Sequence, residues 1–531
     1  MRRLIWAAAL VASGPAMAQD VIVREMPSSV AAFQEHSIDQ LTAMMASGKL
    51  TSAQITELYV ERIRMLDQSG PMLRSVIAIS PNWREQAAAS DARRKAGKLL
   101  GPMDGIPVLI KDNIETRELP TTAGSLALKD NMTGRDAPMV ALLRAQGAVI
   151  LGKTNLSEWA NIRSNNSTSG WSAVGGLVRN PYALDRNSCG SSSGSGAAVA
   201  ASLAAVAVGT ETDGSVVCPA AMNGIVGLKP TLGLVSRTHV VPISHSQDTP
   251  GPMGRSVKDV AILFSAMVGS DPADAATRDA GGTNPWTYSK GLTEYGLKGL
   301  RIGYWKPEMA ADLAKRFDKA LDELRAAGAV LVEVKMPKLE GLGEAEGLVL
   351  YTELKADLAA YLATTKAPVR TLADVIAFNT AYAEAEMPFF GQETFLKAEA
   401  TKGLDDPEYK AAREKSLQLA KGAIDGMLKE ADAQVLVTPT YGTPWLTDPI
   451  HGDQFQGPSA SELPAVSGYP HLTVPMGLVG GLPAGLSFIG PAYSDGWLLQ
   501  AGYAYEQATK ARVVPTFAPT VTVGLGPRSI K

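Results

Sequence analysis

A chain of 531 residues exceeds the size to which one hydrophobic core usually grows, so its length allows one very large domain or two. Hydrophobic residues make up 45% of it and charged residues 19%, a balance that excludes bulk disorder. The formal net charge of −3 excludes a surface built to neutralise many phosphates, and nucleic acid is not an expected partner.

The first residues differ from the rest. Arg2 and Arg3 precede the apolar run Leu4 to Ala12, and Ala16-Met17-Ala18 supplies the small-residue pattern cut by signal peptidases. The run is too short for roughly 30 Å of hydrocarbon, so it reads as a signal peptide over residues 1–18 and not as a membrane anchor. Cleavage would take the formal charge from −3 to −5. No later stretch is continuously apolar, so the mature protein is expected to be free of the membrane, and periplasmic or secreted.

Helical periodicity runs from Ser37 to Leu66, interrupted at Gly48, with Ser37 and Thr51-Ser52 as N-caps. From about residue 105 the texture becomes α/β. Pro107 to Ile110 and Ala148 to Leu151 read as buried strands. Between Gly190 and Gly233 the chain is rich in Gly, Ser and Ala, and the run Ala197 to Ala205 suits a small-residue helix packed closely on a sheet. Further on, Leu300 to Tyr304 reads as a strand, Phe317 to Ala327 as an amphipathic helix and Ala329 to Val334 as a strand. Longer helices follow, containing Leu354, Leu358 and Leu362. The strands Gln434 to Thr438, Leu472 to Pro475 and Gly485 to Ile489 close the chain. The alternation predicts a large mixed sheet covered by helices on both faces, an α/β/α fold.

Five scattered histidines and two cysteines offer no zinc-site spacing, and neither metal nor cofactor is expected. The spacing of Cys189 and Cys218 leaves open either a disulfide or two buried free thiols. Three segments can carry chemistry. Gly105-Ile106-Pro107-Val108-Leu109-Ile110-Lys111-Asp112-Asn113 delivers a lysine at the end of a strand, a position where most charges are simply solvated. Cys189-Gly190-Ser191-Ser192-Ser193-Gly194-Ser195-Gly196 and Gly209-Thr210-Glu211-Thr212-Asp213-Gly214-Ser215 are each weak alone, since most such runs are turns. No G-x-S-x-G elbow surrounds Ser215, no S-x-x-K pattern is present, and no histidine stands in a triad context.

In this order, the three segments resemble the amidase signature family. Ser191 and Ser215 stand 24 residues apart, the family's spacing between bridging serine and nucleophile. The resemblance extends to Gly152 to Trp159, Arg179 to Tyr182, Gly224 to Thr231 and Gly468 to Leu486, with residues 280–430 least diagnostic. Cys189 replaces the usual first glycine of the second motif, and Asp213-Gly214-Ser215 replaces Gly-Gly-Ser. Both forms look like the bacterial peptide amidase branch rather than the tRNA-dependent amidotransferase. Residues 19–531 are accordingly expected to form a single amidase signature domain, its core at about 70–270 and 430–515 and a helical elaboration at about 280–430.

The resemblance implies that Ser215 attacks an amide while Ser191 passes its proton to Lys111, with a cis peptide at Gly190–Ser191 and Ser192 helping to hold the lysine. The base must be a neutral lysine. Against an ordinary pKa near 10.4 this costs about 4.6 kcal/mol at pH 7, much of which burial beside Leu109 and Ile110 can remove. Backbone N–H groups of Thr212, Asp213, Gly214 and Ser215 are the implied oxyanion hole. The Asp213 side chain reads as a cap for the following helix in preference to a catalytic group, and Trp159, Trp171 and Tyr441 are either pocket lining or packing. The implied substrate is a peptide C-terminal amide. A broader aliphatic or aryl amidase is the near alternative, and an exported binding protein without turnover the distant one.

Overall fold

The computed structural model describes residues 26–282 and 287–521. The signal peptide expected over residues 1–18 falls outside the described residues. The strands are, in chain order, β1 (Val76–Ile79), β2 (Pro107–Lys111), β3 (Val149–Thr154), β4 (Trp171–Ser172), β5 (Gly176–Leu177), β6 (Val206–Glu211), β7 (Val226–Lys229), β8 (Thr249–Gly254), β9 (Arg301–Tyr304), β10 (Val330–Glu333), β11 (Val435–Pro439), β12 (His471–Val479) and β13 (Leu482–Ile489).

Eleven of these form one sheet in the order β1-β3-β2-β6-β8-β7-β12-β13-β11-β9-β10, and β4 and β5 make a separate ribbon. The sheet is mixed. β2 runs parallel to β3 and β6, and β9 runs parallel to β10 and β11, while the remaining neighbours are antiparallel. Every residue of β2, β3, β6, β7 and β11 is buried, as continuous apolar strands require when both faces are covered by helices. The main core gathers Val108, Ile150 and Val208 from the sheet with Phe264, Phe317 and Tyr505 from the helices above and below it.

Local signals explain the element ends. Ser37 and Thr51 each close a capping box with Gln40 and Gln54, opening helices Ile38–Ala46 and Ser52–Arg62. The small-residue helix is shorter than its apolar run suggests: it spans Ser193–Ala200 and stops, because the chain must turn before entering β6 at Val206. Two buried arginines take the freed carbonyls. Arg62 donates to Ala201 and Ser202, and Arg255 to Val199 and Ala204. A side chain at Gly194 would place its Cβ 2.3 Å from the Ser75 carbonyl oxygen, so glycine is what lets this helix lie so close to the strands. The amphipathic helix begins earlier than expected, at Ala311–Ala326. Helices Leu342–Ala363, Leu372–Ala381, Glu393–Glu399 and Pro407–Ala431 follow, the first three contributing to a second apolar cluster around Leu358, Val375 and Phe395.

Candidate active site

β2 and β6 are parallel neighbours, so their carboxyl ends bring Lys111 and Thr210 together. Lys111 is fully buried. Its Nζ lies 2.7 Å from Ser191 Oγ, 2.9 Å from Thr210 Oγ1 and 3.2 Å from the Thr210 carbonyl oxygen. The three contacts give each N–H of a charged amine an acceptor, and when Lys111 is neutral two N–H groups on Thr210 leave its lone pair for the Ser191 hydroxyl. Burial holds the lysine well below its ordinary pKa, opposed by the charges of Asp248 and Glu211.

Ser191 sits in a loop locked from several sides. The peptide Gly190–Ser191 is cis. The Ser191 carbonyl accepts from Ser157 N at 3.0 Å, and a Cβ at Gly190 would lie 2.1 Å from Ser157 Oγ. Ser192 makes no hydrogen bond to Lys111. Its hydroxyl accepts from Thr210 N at 3.1 Å and donates to the Thr210 carbonyl at 3.0 Å, so it holds the lysine through Thr210. Thr210 and Ser157 are site residues that sequence reasoning missed, and no spacing signals either.

Ser215 is joined to this loop, since Ser192 N donates to the Ser215 carbonyl at 3.1 Å. It precedes the helix Val217–Met222. The cap of that helix is Glu211 and not Asp213: Glu211 Oε2 accepts from Val216 N at 2.7 Å and Val217 N at 2.9 Å. A carboxylate at the end of β6 reaches the helix mouth on the longer glutamate stem. The Asp213 carboxyl turns towards Ser461, with burial raising its pKa. Among the described residues, the backbone N–H groups of Thr212, Asp213, Gly214 and Ser215 donate to no protein acceptor. Gly214 has φ +75°, and a Cβ there would stand 2.2 Å from Tyr441 Oη. Tyr441 therefore covers the turn, bonded to Ser461 Oγ at 2.6 Å.

Trp159 and Trp171 are buried and pack against other rings. Trp159 stacks edge-on to Phe395, and Trp171 meets Phe389 and Phe390 edge-on. Cys189 and Cys218 form a disulfide, tying the loop of Ser191 to the helix after Ser215. His471 makes a 2.6 Å contact with Ser487 Oγ, but both are wholly buried within β12 and β13, and burial pushes the imidazole down to about 3. That pair is sealed from any substrate.

The sequence model of the amidase family matches residues 54–499. The chain belongs to the amidase signature family. It is similar to a probable amidase of Arabidopsis thaliana, 41% identical over 92% of this chain and 93% of the relative. A glutamyl-tRNA(Gln) amidotransferase subunit of Symbiobacterium thermophilum is 35% identical over 89% and 97% of the two chains. Among solved structures, native peptide amidase from Stenotrophomonas maltophilia superposes with a TM-score of 0.88 at 49% identity, covering 91% of this chain and 99% of that one. Peptide amidase in complex with the competitive inhibitor chymostatin matches equally well, at 48% identity over 91% and 100% of the chains. This amidase is thus a hydrolase of C–N amide bonds that works by the Ser–cis-Ser–Lys mechanism.

Proposed function

We propose that this amidase removes the terminal amide from peptides, releasing ammonia and a free carboxylate through an acyl-enzyme on Ser215. The Lys111–Ser191–Thr210 geometry carries the chemical part of this reading. With its two N–H groups committed to Thr210, Lys111 has one lone pair, and Ser191 lies 2.7 Å from it. Lys111 takes the Ser191 proton as Ser191 takes that of Ser215, and Ser215 Oγ bonds to the amide carbon. The oxygen of the tetrahedral intermediate takes its negative charge towards the free N–H groups of the 212–215 turn, where fixed donors are worth about 3–4 kcal/mol each. The stored proton returns through Ser191 to the leaving nitrogen, the C–N bond breaks, and ammonia departs. Water then repeats the sequence on the acyl ester.

Support for a peptide substrate is the likeness to peptide amidase at 48–49% identity and a TM-score of 0.88. We also propose export to the periplasm or beyond, without a nucleic-acid partner or membrane attachment. The leader pattern of residues 1–18 supports export, and so does a Cys189–Cys218 disulfide, a bond that persists in oxidising compartments.

The test is ammonia release from an amidated dipeptide by the wild type and by Ser215→Ala. Release that falls at least about 1,000-fold in the variant is the expected result. Turnover of simple aryl or alkyl amides with none of peptide amides would move the substrate to the broader class. Silence on every amide would sink the hydrolytic reading of this chain.

A further inference from the structure

The oxyanion turn is held from outside the motifs that carry the relay. Thr212 Oγ1 donates to Asp248 Oδ1 at 2.6 Å. The other oxygen, Asp248 Oδ2, accepts from Ile243 N at 2.8 Å and Ser244 N at 3.0 Å. This loop is itself bolted down. Glu353, on the helix Leu342–Ala363, accepts from the Ser244 hydroxyl, from Ser246 N at 3.1 Å, from Ser246 Oγ at 2.6 Å and from Tyr409 Oη at 2.7 Å. Asp248 is only 8% exposed and cannot swing away.

The charge of Asp248 also acts on the base, Lys111. It lines a small cavity with Asn113, Thr210 and Thr212, and Thr210 is the residue to which Lys111 is anchored. The charged groups around Lys111 divide by what else they do. Asp112 is turned to Lys153, 2.8 Å away, and to Thr122. Glu211 is engaged by two helix N–H groups and by the charge of Lys229. Asp248 has no ion-pair partner among the described residues, since the nearby Arg237 forks onto Asp274. A lysine that accepts a proton in a dry site needs a fixed opposite charge, and Asp248, held by three hydrogen-bond donors and felt by Arg237, has no ion pair of its own among the described residues.

We propose that Asp248 is a positioning residue of amide hydrolysis: it sets the oxyanion turn through Thr212 and supplies the charge against which Lys111 carries the proton received from Ser191. The inference rests on the Ser215–Ser191–Lys111 reading above.

Asp248→Asn separates charge from shape. The asparagine oxygen can take the Ile243 and Ser244 N–H groups while its amide donates to Thr212 Oγ1, so only the negative charge is lost. Loss of that charge makes Lys111 easier to deprotonate. The acidic limb of kcat/KM against pH is therefore expected to move down by about one pH unit. With a weaker base, kcat should fall about tenfold and KM stay within about twofold. A folded Asp248→Asn enzyme whose limb stays in place overturns the proposal. Thr212→Val tests the positioning half even if Asp248→Asn fails to fold. Its kcat should drop about tenfold with the limb unmoved, and Thr212→Ser should recover most of the loss. Wild-type kcat in Thr212→Val would also overturn the idea. Ser215→Ala assayed alongside keeps the two readings apart, because turnover there would condemn the relay itself and not Asp248.

Discussion

At the scale of single residues, the site depends on groups whose bulk or charge is withheld as much as on groups that react. Gly214 shows this most directly. Its positive φ and the 2.2 Å that a Cβ would leave to Tyr441 Oη bar any side chain. Gly214→Ala is expected to lower kcat about 100-fold or more, the scale of losing one oxyanion donor. Tyr441→Phe added to it removes the clashing hydroxyl, and the double variant should be more active than Gly214→Ala alone. Equal activity in the single and double variants would show that Tyr441 does not press on the turn. Lys111, Ser191 and Ser215 were legible in the sequence because each stands in a contiguous motif. Thr210 and Asp248 were not, because what makes them matter is a bond to a residue 99 and 36 positions away. The cap assigned to Asp213 failed for a related reason: the sequence offers two nearby carboxylates, and only the path of the chain shows that Glu211 reaches the helix mouth.

At the scale of elements, the capping boxes at Ser37 and Thr51 could be read in advance, because a cap is a contract between residues three apart. The end of the helix after Ser192 could not. Nothing local stops a run of alanines, and the turn at Ala201 is held by Arg62 and Arg255 from distant parts of the chain. The loop that carries Asp248 has a titratable clasp of its own. His245 lies 2.9 Å from Asp357 on the helix Leu342–Ala363, and that hydrogen bond raises its pKa above the ordinary 6.5, with Glu353 adding to the effect and Arg237 opposing it. A raised histidine pKa favours the folded state while the ring is charged. The contribution is therefore complete below pH 6.5 and vanishes as the pH climbs through the raised value. The ring is nearly half exposed, which keeps the effect small. Between pH 6 and pH 8.5 the wild type should lose about 1–2 °C more in Tm than Asp357→Asn does. Parallel pH dependence in the two proteins would count against the clasp.

At the scale of the whole molecule, the α/β/α architecture and its large mixed sheet followed from the alternation of short apolar runs with helical stretches. Sequence could not decide the pairing of Cys189 with Cys218, since a spacing carries no information on where two sulfurs end up. The bridge closes a sequence separation of 29 residues, for which chain entropy gives about 3–4 kcal/mol. A Cys189→Ser/Cys218→Ser double variant should melt measurably lower than the oxidised wild type. An unchanged Tm would mean that residual structure already restrains this loop in the unfolded chain.

The sheet order carries one more consequence, which concerns time. Strands β1, β2, β3, β6, β7 and β8 all come from residues 76–254, and strands β9 to β13 from residues 301–489. The two sets meet at a single seam, where His471, Leu472 and Thr473 pair with Lys229, Leu228 and Gly227. Lys111, Ser191 and Ser215 belong to the early set, while Tyr441 and Ser461, which cover Gly214, belong to the late one. At about 5–20 residues per second, a ribosome needs ten seconds or more to make the roughly two hundred residues between them. The reactive parts therefore exist in the growing chain well before their cover does. Contacts so distant along the chain are also slow to form, so hydrolysis should begin only once the last strands have found the seam.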